Sequence, residues 1–164
     1  MKTQTCCFTG HRDIPASEHA AIQARLESEI VTLIHQGVKF FGAGGALGFD
    51  TMAAQTVLAL KQNFPHIRLI LVLPCKEQTK LWRDADKKTY NQILNNADKV
   101  VYTSERYHSC CMQERNRHLA DNSGFCICYV TKSTGGSAYT AECARRRGVK
   151  IINCAIPPAV IYKG

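Results

Sequence analysis

"IRLILVLP" (residues 67–74) sets aliphatic, mostly branched side chains one after another, with one arginine near its start. A strand with one wet face alternates apolar and polar residues. A continuous run is the mark of a strand covered on both faces, as in a parallel sheet between helices. Outward from this run the chain keeps one rhythm. Upstream stand "TCCFTG" (5–10) and "VKFFGAG" (38–44), and downstream "KVVYTS" (99–104), "GFCICYV" (124–130) and "VKIINC" (149–154), all strand-like. Between them lie helical patterns at 17–37, 49–64, 77–97, 109–122 and 135–148. The first carries the stripe Ile22, Leu26, Ile30, Leu33 and Ile34, with Ser17 as its expected N-cap and Gly37 as its stop. About six strands alternating with five helices predict an α/β fold with right-handed crossovers and a mostly parallel sheet. Ligands of such sheets sit beyond the carboxyl ends of the strands.

Length and composition agree with a single domain over 1–164: 45% of residues are hydrophobic and 21% charged. No apolar run approaches the roughly 18 residues of a membrane helix. The opening "MKTQTCCFTGHR" has no apolar signal region, so a cytoplasmic location with no membrane partner is expected. Nine cysteines include no CxxC pair and suggest no metal site. They read as reduced core residues, with Cys110 or Cys111, near a helix start, as the alternative reactive thiol. A net charge of +8 favours anionic partners, either nucleic acid or phosphorylated small molecules.

Two strand exits are glycine-rich and run straight into helices: "GAGGALGFD" (42–50) and "STGGSAYTAE" (133–142). A helix N-terminus offers unpaired N–H groups and about half a positive charge, and small residues let a phosphate approach them. Gly42, Gly44, Gly45 and Gly48, and then Thr134, Gly135, Gly136 and Ser137, are therefore candidate anion-binding positions. A tight turn with close helix–strand packing is the structural alternative. Asp50 reads either as a first-turn or capping charge or as a contact to ribose or metal. "TGHR" leaves the first strand: Thr9 and Gly10 offer hydroxyl and backbone to a phosphate, and His11 and Arg12 offer charge. Trp82, the only tryptophan, either packs or stacks on a base. Ser109 is the expected N-cap of the fourth helix.

Arg115 shares a helical stripe with Cys111, Met112 and Leu119. It therefore points with apolar residues toward the sheet, where an unpaired guanidinium costs several kcal/mol. Its expected partner is Glu142 on the next helix, or a ligand phosphate.

"MQER" (112–115) followed by "FCICYVTKSTGGSAYTAE" (125–142) resembles the Lonely Guy phosphoribohydrolases, which carry a helix arginine, a strand and a PGGxGTxxE motif. Gly135, Gly136 and Glu142 match that motif, and Arg115 matches the arginine. Thr134 stands in place of the proline and Ala138-Tyr139 in place of Gly-Thr. "CCFTGHR", "KLWRDADKKTYNQILNNADKVV" and "ERNRHLADNSGFCICY" make the whole chain more similar to the YpsA-like branch of the same SLOG superfamily. The resemblance implies a Rossmann-like three-layer sandwich that binds a nucleotide or an ADP-ribose-like ligand, as a sensor or sequestering module without a cofactor. It also implies an alternative: N-glycosidic hydrolysis of a nucleoside monophosphate, with Arg115 orienting ribose or phosphate and Glu142 activating water. Its DprA branch implies single-stranded DNA binding as a lesser alternative, and a homodimer is open to it.

Overall fold

Six strands and five helices alternate along residues 2–155, the part of the chain that the computed structural model describes. After a single 3-10 turn at Lys2–Gln4 come β1 (Thr5–Gly10), α1 (His19–His35), β2 (Phe40–Ala43), α2 (Phe49–Leu60) and β3 (Arg68–Leu73). Then follow α3 (Asp84–Asn96), β4 (Lys99–Tyr102), α4 (Cys111–Asp121), β5 (Phe125–Tyr129), α5 (Gly136–Arg146) and β6 (Lys150–Asn153). The sheet order is β4-β3-β2-β1-β5-β6, and every pairing is parallel rather than mostly so. This is an α/β Rossmann-like sandwich. Helices α1, α2 and α3 pack on one face, and α4 and α5 on the other.

The central strands show why both faces need cover. Cys6 and Phe8 point into the core under α1–α3, with Phe41, Leu71 and Ile127. Cys7, Cys126 and Cys128 point the other way, against Leu119, Ala144 and Val149. The side-chain period of two sorts them. Seven of the nine cysteines are buried, and all nine are free thiols; Cys110 is exposed. No described helix is long and apolar enough to cross a membrane.

Three local expectations are corrected. Ser17 does not cap α1. Pro15 starts a turn whose carbonyl accepts from the Glu18 N–H at 2.9 Å, and the helix begins at His19 without a side-chain cap. Ser109 does not cap α4 either; Cys110 holds that place. The predicted helix 77–97 begins only at Asp84, because Gln78 turns inward and is buried. Its amide donates to the Gly44 carbonyl at 3.4 Å. Gly37 does end α1, with φ +101°, in the left-handed region glycine tolerates.

Candidate functional site

The chain steps outward from β1 through β2 and β3 to β4, then returns to place β5 on the other side of β1. The loops leaving β1 and β5 therefore part in opposite directions, which makes a crevice at their carboxyl ends. His11 stitches its two lips. Its N–H donates to the Tyr129 carbonyl at 3.1 Å, and its Nε2 accepts from the Thr131 N–H at 2.9 Å. Accepting at Nε2 requires a neutral ring, and burial, then Lys132, lowers the His11 pKa. In this arrangement the His11 ring is an acceptor that joins the two loops.

At the β2 exit the glycines are crowded by neighbouring atoms. A Cβ on Gly44 would lie 2.4 Å from the Arg115 guanidinium, and one on Gly42 would lie 2.9 Å from Leu119. On Gly45 it would meet Leu73 at 2.5 Å, and on Gly48 the Arg12 carbonyl at 2.0 Å. Gly45 and Gly48 also hold φ of +73° and +79°. The space beside Gly42, Gly44, Gly45 and Gly48 is thus taken by the protein's own atoms. At Gly44 the filler is Arg115, which donates from Nη1 to the Gly44 carbonyl. Gly10 is bare for a similar reason, since a Cβ there would strike the Phe49 ring at 2.5 Å.

Arg115 is buried, as its helical stripe predicts, but its expected bridge to Glu142 is not formed. Glu142 sits on the outer side of α5 with its side chain 45% exposed, held by Arg145 at 2.7 Å and Arg146 at 3.2 Å. Those guanidiniums, Arg145 first, lower its carboxyl to about 2. Glu142 follows Arg145 and Arg146 because they lie three and four residues on along its own helix face. Arg115 instead donates from Nε to the Asn116 side-chain oxygen at 2.7 Å. Asn116 donates in turn to the Thr140 hydroxyl at 3.1 Å, and Thr140 to the Gly136 carbonyl at 2.8 Å. One polar chain therefore runs from the β2 loop through α4 to the start of α5. Asn116 escaped the sequence reading, although Met112, Asn116 and Ala120 share an i, i+4, i+8 line beside the arginine's stripe.

The carboxylate that does face Arg115 is Asp50, in the first turn of α2 and 6% exposed. One oxygen accepts from the Ala46 N–H at 3.4 Å; the other, Oδ1, has no hydrogen-bond partner among the described residues. Burial pushes its carboxyl up to about 6, against the pull of Arg115, the Ala46 amide, Arg12 and the Gly44 amide. Burial likewise lowers the Arg115 pKa, and Asp50 opposes that.

These groups line a cleft of about 290 Å³. Thr9, Gly10, His11 and Arg12 come from the β1 exit, and Ala46 and Asp50 from the β2 exit. Met112, Arg115 and Asn116 come from α4, and Gly136 and Ser137 from α5. The α5 end differs from that of α2. Gly135 (φ +101°) and Gly136 have no atom within 4 Å of a built Cβ, and the first turn of α5 has no acidic residue and no side-chain cap. Gly135 faces the neighbouring α4–α5 groove, and Thr134 is exposed in the loop before it. Trp82 is outside the cleft lining; it packs edge-on against Tyr90, with centroids 5.5 Å apart. Among the described residues no group of three or more His, Cys, Asp or Glu side chains could hold a metal ion.

The family model described as the YspA SLOG family matches residues 7–151. A UPF0398 protein of Halalkalibacterium halodurans is 36% identical over 129 residues, covering 77% of this chain and 68% of that protein. The SPbeta prophage-derived protein YoqJ of Bacillus subtilis is 30% identical over 138 residues, covering 76% of this chain and 81% of that protein. Among solved structures, DNA processing protein A of Streptococcus pneumoniae superposes with a TM-score of 0.66 at 18% identity, over 96% of this chain. The chain spans about half of that protein, 52% of its length. DNA processing protein A of Helicobacter pylori, described for its single-stranded DNA binding mode, gives a TM-score of 0.65 at 19% identity, over 98% of this chain and 68% of its own. At these identities the two structures show a shared fold.

Proposed function

The chain belongs to the YspA SLOG family, and from that premise we propose that it holds a nucleotide or an ADP-ribose-like derivative in the cleft between the β1 and β5 exits, as a sensor or sequestering module. The observation that carries this reading is Asp50 Oδ1, buried in the cleft wall with no donor at hydrogen-bond distance among the described residues. A buried acceptor left unmade costs about 1–3 kcal/mol, which a ligand hydroxyl relieves. A ribose supplies such hydroxyls. Its phosphate suits the open amino end of α5, where the Gly136 and Ser137 N–H groups lack an acidic neighbour and Arg12 stands across the cleft. Arg115 does not take the phosphate in this reading; it keeps Asp50 ionised at neutral pH and fixes the β2 loop.

The test is a thermal-unfolding panel with adenosine 5′-monophosphate, ADP and ADP-ribose. A ligand at 100 times its dissociation constant adds about 2.7 kcal/mol to stability. Asp50→Asn should weaken binding about 10-fold or more, the worth of a hydrogen bond to a charged group. A flat melting temperature across the panel defeats the proposal.

A second reading, N-glycosidic hydrolysis, is favoured by the same carboxylate. General-base work near neutral pH suits a carboxyl near 6 better than one near 2. If base is released from a nucleoside monophosphate, Asp50→Asn abolishes release and Glu142→Gln leaves it unchanged. Release abolished by Glu142→Gln alone would return that role to Glu142. Single-stranded DNA binding draws support from the charge of +8 and the shared fold. It requires a gel shift at low salt that fades steeply as salt rises, and unchanged DNA mobility removes it.

A further inference from the structure

We propose that the groove between α4 and α5 is the subsite for the base of this ligand, with the Tyr139 ring as its stacking face; the inference rests on the nucleotide reading of the adjoining cleft. The cleft alone, at about 290 Å³, lies at the bottom of the usual range for ligand sites, about 300–1,000 Å³. It suits a phosphate and a sugar. Its one ring, His11, is already set edge-on against Tyr129, with centroids 5.6 Å apart. A base needs a flat apolar face, and the cleft has none to spare.

The groove supplies one. It measures about 450 Å³ and shares Met112, Asn116 and Gly136 with the cleft, so the two spaces adjoin. Tyr139 lines the groove one turn into α5, 67% exposed. Beside it, Gly135 and Gly136 leave open space where side chains would stand. A phosphate on the first amides of α5 thus places its sugar and base within one helical turn of this ring. Met112 offers a soft, polarisable surface on the α4 side, and Gln113 brings an amide to the groove. At its far end Arg147 is paired with Asp121, which leaves that cation neutralised. Arg117 lines the groove as well. Trp82, the other aromatic considered for stacking, is engaged with Tyr90.

The experiment compares adenosine 5′-monophosphate with ribose 5-phosphate by isothermal titration calorimetry, on the wild type, Tyr139→Ala and Tyr139→Phe. Stacking of a base on an aromatic side chain predicts that Tyr139→Ala weakens the nucleotide about 10-fold. Ribose 5-phosphate should bind all three proteins alike, and Tyr139→Phe should keep wild-type affinity for the nucleotide. Equal nucleotide affinity in Tyr139→Ala and wild type overturns the base subsite, as does equal loss of both ligands. If the wild type binds ribose 5-phosphate but gains nothing from the base, the groove assignment alone fails. If it binds neither ligand, the cleft reading fails and takes the groove with it.

Discussion

Asp50 and Arg115 are each expensive to bury, and each is buried beside the other. Asp50 carries the measurable sign. Its carboxyl lies near 6 in the fold against an ordinary 3.8, so between those values the native state holds a proton that the unfolded chain has released. Stability from this group is full below about pH 4 and falls as pH rises through 6, by about 3 kcal/mol in all. A carbon-detected NMR titration should find the Asp50 carboxyl near 6, and Arg115→Met should move it higher by removing the facing cation. Titration near 4 in the wild type contradicts the burial described. The sequence shows that bare backbone is needed at Gly42, Gly44, Gly45 and Gly48, but not what fills the space. The filler at Gly44 is a guanidinium 71 residues away, a distance no local pattern spans.

Two helix starts that look alike in sequence differ as elements. The α2 start brings its own acid, Asp50, and Arg115 and the Arg12 backbone crowd the glycines before it. The α5 start has neither acid nor cap and faces open space. Ser137→Asp separates structure from function. A carboxylate in the first turn of α5 should stabilise the protein by about 0.3–1 kcal/mol through the helix dipole. The same charge should lower phosphate-ligand affinity at least 10-fold by repulsion. Urea unfolding and calorimetry read the two effects, and unchanged ligand affinity would show that the anion does not sit there. Helix existence was legible from periodicity, but the starts were not. Ser17 and Ser109 have the right chemistry for caps, yet the turns at Pro15 and His108 decide where α1 and α4 begin.

At the scale of the whole molecule, the continuous run 67–74 and the alternation around it were enough to read a parallel sheet between helices. The strand order was not readable, because periodicity says which residues pair with a sheet and not which strand lies beside which. The return of β5 to the far side of β1 opens the crevice, and His11 ties its lips with one backbone and one side-chain hydrogen bond. Arg115 and Glu142 stay apart although α4 and α5 pack side by side, since α4 turns the arginine toward the β2 loop while Glu142 faces outward with its own helix's arginines. In the proposed function this crevice receives the ligand, and the glycines of the crowded β2 loop do not. An amide-detected NMR titration with adenosine 5′-monophosphate tests it most directly. The largest perturbations should fall at Gly136, Ser137, Arg12 and Asp50, with Gly44 and Gly45 moving less. Perturbations centred on Gly44 and Gly45, or none at all at saturating nucleotide, would contradict it.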